Sequence, residues 1–284
     1  MERNANTSVD DGLRKRKGII LNHLTTVAPI APPSRLLALS ELPRALAELG
    51  ALPWFGPLLM SAPRGDGHPV LVLPGFVTTD ISTTLLRGYL ERLGYMPFAW
   101  ELGRNLGPKA IGREGEKLVD RLDAIFEQTG RKVSIVGWSL GGVMARQLAR
   151  RRPDKVRQVI SLGSPFTGDP RATNVLAAYE ALTGQRMADA DTQAQLKESR
   201  TCPPVPSTAI YTKADGVVAW QNCCEPQHDT TDNIEVYGSH CGLGVNASVL
   251  YAVADRLAQP EGEWQPFERK GVRALMYPSS GHLH

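Results

Sequence analysis

Ser139 lies in Gly137-Trp138-Ser139-Leu140-Gly141, where a hydroxyl sits between two glycines on a tight turn. This spacing suits a serine nucleophile, because a sharp strand-to-helix turn leaves no room for side chains beside it and pushes the hydroxyl outward. A serine hydroxyl attacks poorly at neutral pH unless a base takes its proton and a third group orients that base. The chain offers six histidines as the base: His23, His68, His228, His240, His282 and His284. His23 is in the N-terminal arm and His282 and His284 are in the final tail. His68 precedes the first strand and so belongs to the wrong end of the sheet. His228 and His240 remain. His240 is favoured, because Gly238-Ser239-His240-Cys241-Gly242-Leu243 follows the last strand and reaches the carboxyl end of the sheet, where open α/β sheets bind ligands.

The orienting acid should follow an earlier strand. Asp215, in Ala214-Asp215-Gly216-Val217-Val218, fits that place, and Gly216 permits the turn that aims a carboxylate inward. Asp-Gly is also an ordinary turn pair, and Asp229 and Asp232 are the other candidates. The order Ser139, Asp215, His240 is the one this kind of elbow uses. Attack on a carbonyl creates an oxyanion, which two backbone N–H groups should meet. Leu140, at the start of the helix after the serine, supplies one. Phe76, after Gly75 in Leu73-Pro74-Gly75-Phe76, supplies the other. The pocket candidates are Trp100, Trp138, Val217 and Val218, of which one or two should line the site and the rest should serve the core.

Elements of the right kind surround these residues. Lys132-Val133-Ser134-Ile135-Val136 is a β-branched run ahead of the serine, and residues 142–150 carry a helical pattern that stops before Pro153. Residues 70–73, 95–100, 156–162, 208–212 and 233–237 read as further strands. Residues 34–49, 81–93, 111–128 and 246–257 read as helices, with Asp80 a cap for the second. Strands alternating with helices predict an α/β fold: a mostly parallel sheet covered on both faces. Between Pro165 and Pro206 the alternation breaks into polar helical pieces, a candidate cap or lid spanning about residues 166–206. The expected organisation is an arm with a helical segment over residues 1–64 and a catalytic domain over residues 65–284.

Composition narrows the function classes. The chain has 284 residues, 42% hydrophobic and 21% charged, with a formal net charge of +3. Only Arg14-Lys15-Arg16-Lys17 clusters basic residues, in a polar stretch that reads as a solvated tail and not as a nucleic-acid arm. The apolar stretch at residues 51–62 is broken by Pro53, Gly56 and Pro57, too short to span a bilayer. The polar start, Met1 to Asn6, is not followed by the apolar core of a signal peptide, so a cytoplasmic location is expected. The four cysteines, Cys202, Cys223, Cys224 and Cys241, lack zinc-site spacing and are expected to be mostly reduced thiols.

Taken together, Leu73-Pro74-Gly75-Phe76, Gly137-Trp138-Ser139-Leu140-Gly141-Gly142, Leu162-Gly163-Ser164-Pro165-Phe166, Ala214-Asp215-Gly216-Val217-Val218 and Gly238-Ser239-His240-Cys241-Gly242-Leu243 make the chain resemble the α/β-hydrolase superfamily, and within it the bacterial lipase and esterase branch. The resemblance covers about residues 70–257. It implies Ser139 as nucleophile, His240 as acid and base, Asp215 as orienter, and Phe76 and Leu140 as oxyanion donors. It implies a serine carboxylic ester hydrolase acting through an acyl-enzyme on a small ester with an apolar acyl or aromatic group. No metal or organic cofactor and no nucleic-acid partner is implied. The chain lacks the His-Gly-Gly oxyanion sequence of the hormone-sensitive-lipase branch. An acyltransferase using the same three residues is the alternative, and a catalytically silent interaction protein on this fold is a more distant one.

Overall fold

In the computed structural model, which describes residues 30–271 and 273–278, six short runs become the strands β1 (Pro69–Leu73), β2 (Met96–Ala99), β3 (Val133–Trp138), β4 (Val156–Leu162), β5 (Ser207–Tyr211) and β6 (Thr231–Glu235). They form one sheet of order β2-β1-β3-β4-β5-β6 in which every neighbouring pair is parallel. The expected α/β architecture is thus observed. The basic cluster at Arg14–Lys17 and the residues His23, His282 and His284 lie outside the described residues, as does the polar N-terminus.

The main helices are α1 (Arg35–Ala51), α2 (Thr84–Arg92), α3 (Glu116–Thr129), α4 (Leu140–Arg151), α5 (Leu176–Thr183), α6 (Ala190–Ser199) and α7 (Ala247–Leu257). Successive residues of a strand point to opposite faces, and β1 shows the consequence. Val70 and Val72 pack with Leu86 and Leu90 of α2 and Val249 and Val253 of α7. Leu71 and Leu73 pack with Leu122 and Ile125 of α3 and Ala145 and Leu148 of α4. Each fully buried Leu or Ile contributes about 2 kcal/mol, so both layers hold the sheet rigid beneath whatever its carboxyl edge carries. Among the described residues no helix is long and apolar enough to cross a membrane.

Boundaries differ from the sequence expectation where glycine or a cap intervenes. The helix expected from residue 111 starts at Glu116, because Gly112 and Gly115 both take positive φ. The helix expected over residues 81–93 opens with a 3-10 turn, Asp80–Thr83. Thr79, not Asp80, caps that turn. The Asp80 carboxylate instead accepts the N–H groups of Trp100 (3.0 Å) and Glu101 (3.1 Å), tying down the loop after β2.

Helix α1 is built inside out. Its polar residues Glu41, Arg44 and Glu48 face the protein, whereas Leu36, Leu39, Leu42 and Leu46 are exposed. The four cysteines are unpaired.

At the amino end of the sheet, wholly buried His68 sits between Asp66 (Nδ1 to Oδ1, 2.5 Å) and Ser134 (Nε2 to Oγ, 2.9 Å). Ser134 is equally buried, so this Ser-His-Asp trio meets no substrate. Burial pushes His68 down to about 4, against the pull of Asp66. The unfolded chain, with an ordinary histidine near 6.5, therefore takes up a proton between pH 6.5 and 4 that the folded chain refuses. This contribution to stability is complete above pH 6.5 and is lost as pH falls toward 4, about 3 kcal/mol in all. Urea midpoints measured from pH 7 to 4 should fall across that window, and less steeply in His68→Gln. Equal slopes in the two proteins would contradict it.

Candidate active site

The turn from β3 to α4 carries Ser139 with φ +52°, a left-handed conformation costly for any residue but glycine. Its glycines are required by contact. A Cβ on Gly137 would overlap the Gly141 carbonyl and lie 2.5 Å from the Gly142 Cα. One on Gly141 would lie 2.6 Å from the Leu73 carbonyl oxygen and 2.7 Å from that of Pro74. The Ser139 N–H donates to the Leu162 carbonyl (2.8 Å), which fixes the turn against β4.

Beside it, His240 Nε2 lies 3.1 Å from Ser139 Oγ, and His240 Nδ1 lies 2.6 Å from Asp215 Oδ2. A carboxylate only accepts, so Nδ1 carries the proton and Nε2 is free to accept from the serine. The other Asp215 oxygen accepts the N–H groups of Val217 and Val218, each at 2.8 Å. Asp215 and His240 are both buried. Burial of the ring opposes the imidazolium, but the Asp215 carboxylate, by charge and hydrogen bond, and the Glu41 charge outweigh it. His240 therefore titrates above the ordinary histidine value. The Trp138 Nε1–H donates to the His240 carbonyl (3.1 Å), and Gly163 leaves the space the ring occupies: a Cβ there would sit 3.1 Å from His240 Nδ1.

The loop after β1 reaches the same point. The position of a Cβ on Gly75 lies 3.5 Å from Ser139 Cβ. The N–H groups of Phe76 and Leu140 have no hydrogen-bond partner among the described residues. Asn105, wholly buried, donates its amide to the Pro74 carbonyl (2.8 Å) and accepts the Gly107 N–H (3.1 Å), bracing this loop from β2's side.

From Ser139 an apolar cavity of about 150 Å³ runs between Phe76, Val143, Leu176, Tyr179, Met187 and Leu196, under α5 and α6. Of the four pocket candidates only Val218 is on its wall. Trp100 is wholly buried in the core under α3 and donates its indole N–H to the Gly103 carbonyl. Trp138 faces Gly244 and packs on the α2–α7 layer. Val217 packs with Tyr211 and Cys223.

The structure thus brings together Ser139, Asp215, His240, Phe76 and Leu140. It leaves His68 at the opposite end of the sheet and His228 and Asp229 exposed in a loop. Asp232 is occupied with the Phe267 N–H. Sequence reasoning missed Asn105, a buried polar residue with no local pattern, and the inward face of α1. Its Glu41, Arg44 and Glu48 do fall at helical spacing among leucines, and that was the available signal. Among the described residues no group of three or more His, Cys, Asp and Glu is placed to hold a metal ion.

A family model described as the alpha/beta hydrolase fold matches residues 113–201, which include Ser139 but not Asp215 or His240. A monoacylglycerol lipase from Paleococcus ferrophilus is similar in structure, with a TM-score of 0.51 at 15% identity over 69% of this chain and 96% of that one. Lipase B from Aspergillus fumigatus gives a TM-score of 0.54 at 17% identity over 72% of this chain and 55% of its own. At such identities the likeness is one of fold. No curated protein matches the chain by sequence.

Proposed function

We propose that this chain, which has an α/β-hydrolase fold and matches a family model of that fold over residues 113–201, is a serine carboxylic ester hydrolase working through an acyl-enzyme on Ser139. The observation that carries this reading is the continuous hydrogen-bonded line from Ser139 Oγ through His240 to Asp215, beside two unengaged N–H groups.

His240 Nε2 takes the Ser139 proton as Oγ attacks the ester carbonyl, and the C=O electrons move onto oxygen. The N–H groups of Phe76 and Leu140 meet that oxyanion, with the amino terminus of α4 adding its dipole. Imidazolium then returns the proton to the departing alcohol, while Asp215 holds the ring and its charge. Water, deprotonated by His240, releases the acid and frees Ser139. The two helices between β4 and β5 act as the cap over the acyl group, and α1, in the segment expected as an arm, is seated on the loops that carry Asp215 and His240.

The cavity wall supports a substrate with an apolar acyl chain, and two structural neighbours are named lipases. Each methylene taken into the cavity adds about 0.8 kcal/mol, about fourfold in kcat/KM. Hydrolysis of p-nitrophenyl esters from acetate to palmitate should therefore rise about 15-fold from acetate to butyrate. It should then fall once the chain outgrows the cavity. Equal rates for all chains, or acetate as the best substrate, would overturn the acyl-pocket assignment.

A further inference from the structure

We propose that Glu41 of α1, supported by Arg44 and Glu48, is a positioning residue that holds the Asp215 loop and the His240 loop in register; this rests on the reading of Ser139, Asp215 and His240 given above. One carboxylate spans both loops. Glu41 Oε1 accepts the N–H of Gly216 (2.7 Å), one residue beyond the acid, and Oε2 accepts that of Cys241 (2.8 Å), one residue beyond the histidine. Arg44 binds Glu41 (2.7 Å) and donates to the carbonyls of Ala214 (2.9 Å) and Gly238 (3.2 Å), just ahead of the same two segments. Glu48 Oε1 accepts both the N–H and the hydroxyl of Ser239, each at 2.7 Å, and Oε2 accepts from the Asn246 amide (2.9 Å).

The glycines of both loops exist for this contact. A Cβ on Gly216 would lie 2.5 Å from the Leu37 carbonyl carbon, and one on Gly238 would lie 3.0 Å from Glu48 Oε2. A Cβ on Gly242 would overlap the Glu48 carboxylate. Helix α1 therefore turns its charged face inward at the expense of its leucines, and the groups it reaches are backbone atoms flanking Asp215 and His240. Charge follows from the same geometry. Glu41 is buried, where a carboxylate acts on neighbouring groups with little screening. It adds a second negative charge to that of Asp215 in favour of the imidazolium.

The test is the rate at which a fluorophosphonate modifies Ser139, measured from pH 5 to 9, since this reports an activated serine without needing the natural substrate. In Glu41→Gln one of the two N–H groups loses its acceptor and the charge is gone. The labelling rate at its plateau should fall about tenfold or more, since sub-ångström misplacement of a reacting group is costly. The acid limb should also move to lower pH, a shift that loss of stability alone does not produce. Arg44→Met, which keeps Glu41 and removes the cation beside it, should also slow labelling but move the limb to higher pH. It serves as the second arm if Glu41→Gln does not accumulate as folded protein. Wild-type labelling at Ser139 with both variants unchanged in rate and limb would overturn the positioning role alone. Absence of Ser139 labelling in the wild type would overturn the underlying reading and this proposal with it.

Discussion

Ser139→Ala is expected to lower ester hydrolysis by about 10⁶-fold in kcat, to whatever the oxyanion donors and substrate binding alone provide. The reason is local. Among the described residues Ser139 is the one hydroxyl hydrogen-bonded to His240 Nε2, at 3.1 Å, and its strained backbone aims it into the cavity. The variant should fold like the wild type, because alanine suffers the same positive φ as serine and loses only an outward-facing hydroxyl. Steady-state kinetics on p-nitrophenyl butyrate with the two proteins at matched folded fraction checks it. A loss smaller than about 100-fold would mean that the reaction does not pass through Ser139.

Asp215→Asn should cost about 10⁴-fold in kcat with little change in KM. The asparagine oxygen can still accept the Val217 and Val218 N–H groups that Asp215 Oδ1 accepts now. Its NH₂ then points at His240 Nδ1, where Asp215 Oδ2 stands 2.6 Å away as an acceptor. The imidazole must turn to the tautomer with its proton on Nε2, which cannot take one from Ser139. Stability should change little compared with activity, because the polar contacts of the loop survive. Kinetics and urea unfolding of the same preparation separate the two. A kcat within about tenfold of wild type would remove Asp215 from its role.

The residues that were legible in the sequence share a physical property: their local turn demands particular neighbours. Gly137 and Gly141 announce Ser139 because the turn sterically excludes any Cβ beside it. Near-continuous aliphatic runs announced the strands, since a parallel sheet buried on both faces needs them. What could not be read was set by distant contact. Trp100 and Trp138 look like pocket aromatics by sequence distance, yet strand alternation and an indole hydrogen bond turn each into packing. Phe76, as an oxyanion candidate, also provides a cavity wall, but Tyr179, Met187 and Leu196 come from helices whose docking no local pattern specifies. Gly216 reads as a turn residue that aims Asp215, and Gly242 only as part of the His240 motif. Their real constraint is the approach of α1, about 175 to 200 residues earlier in the chain.

Acyl-enzyme capture tests the central claim most directly. Wild-type protein mixed with p-nitrophenyl butyrate and quenched in acid within milliseconds should show a burst of one p-nitrophenol per chain. The intact mass should rise by one butyryl group, and proteolytic mapping should assign it to the peptide containing Ser139. Ser139→Ala should show neither burst nor adduct. An ester-hydrolysing wild type with no adduct, or with the acyl group on a residue other than Ser139, would contradict the account.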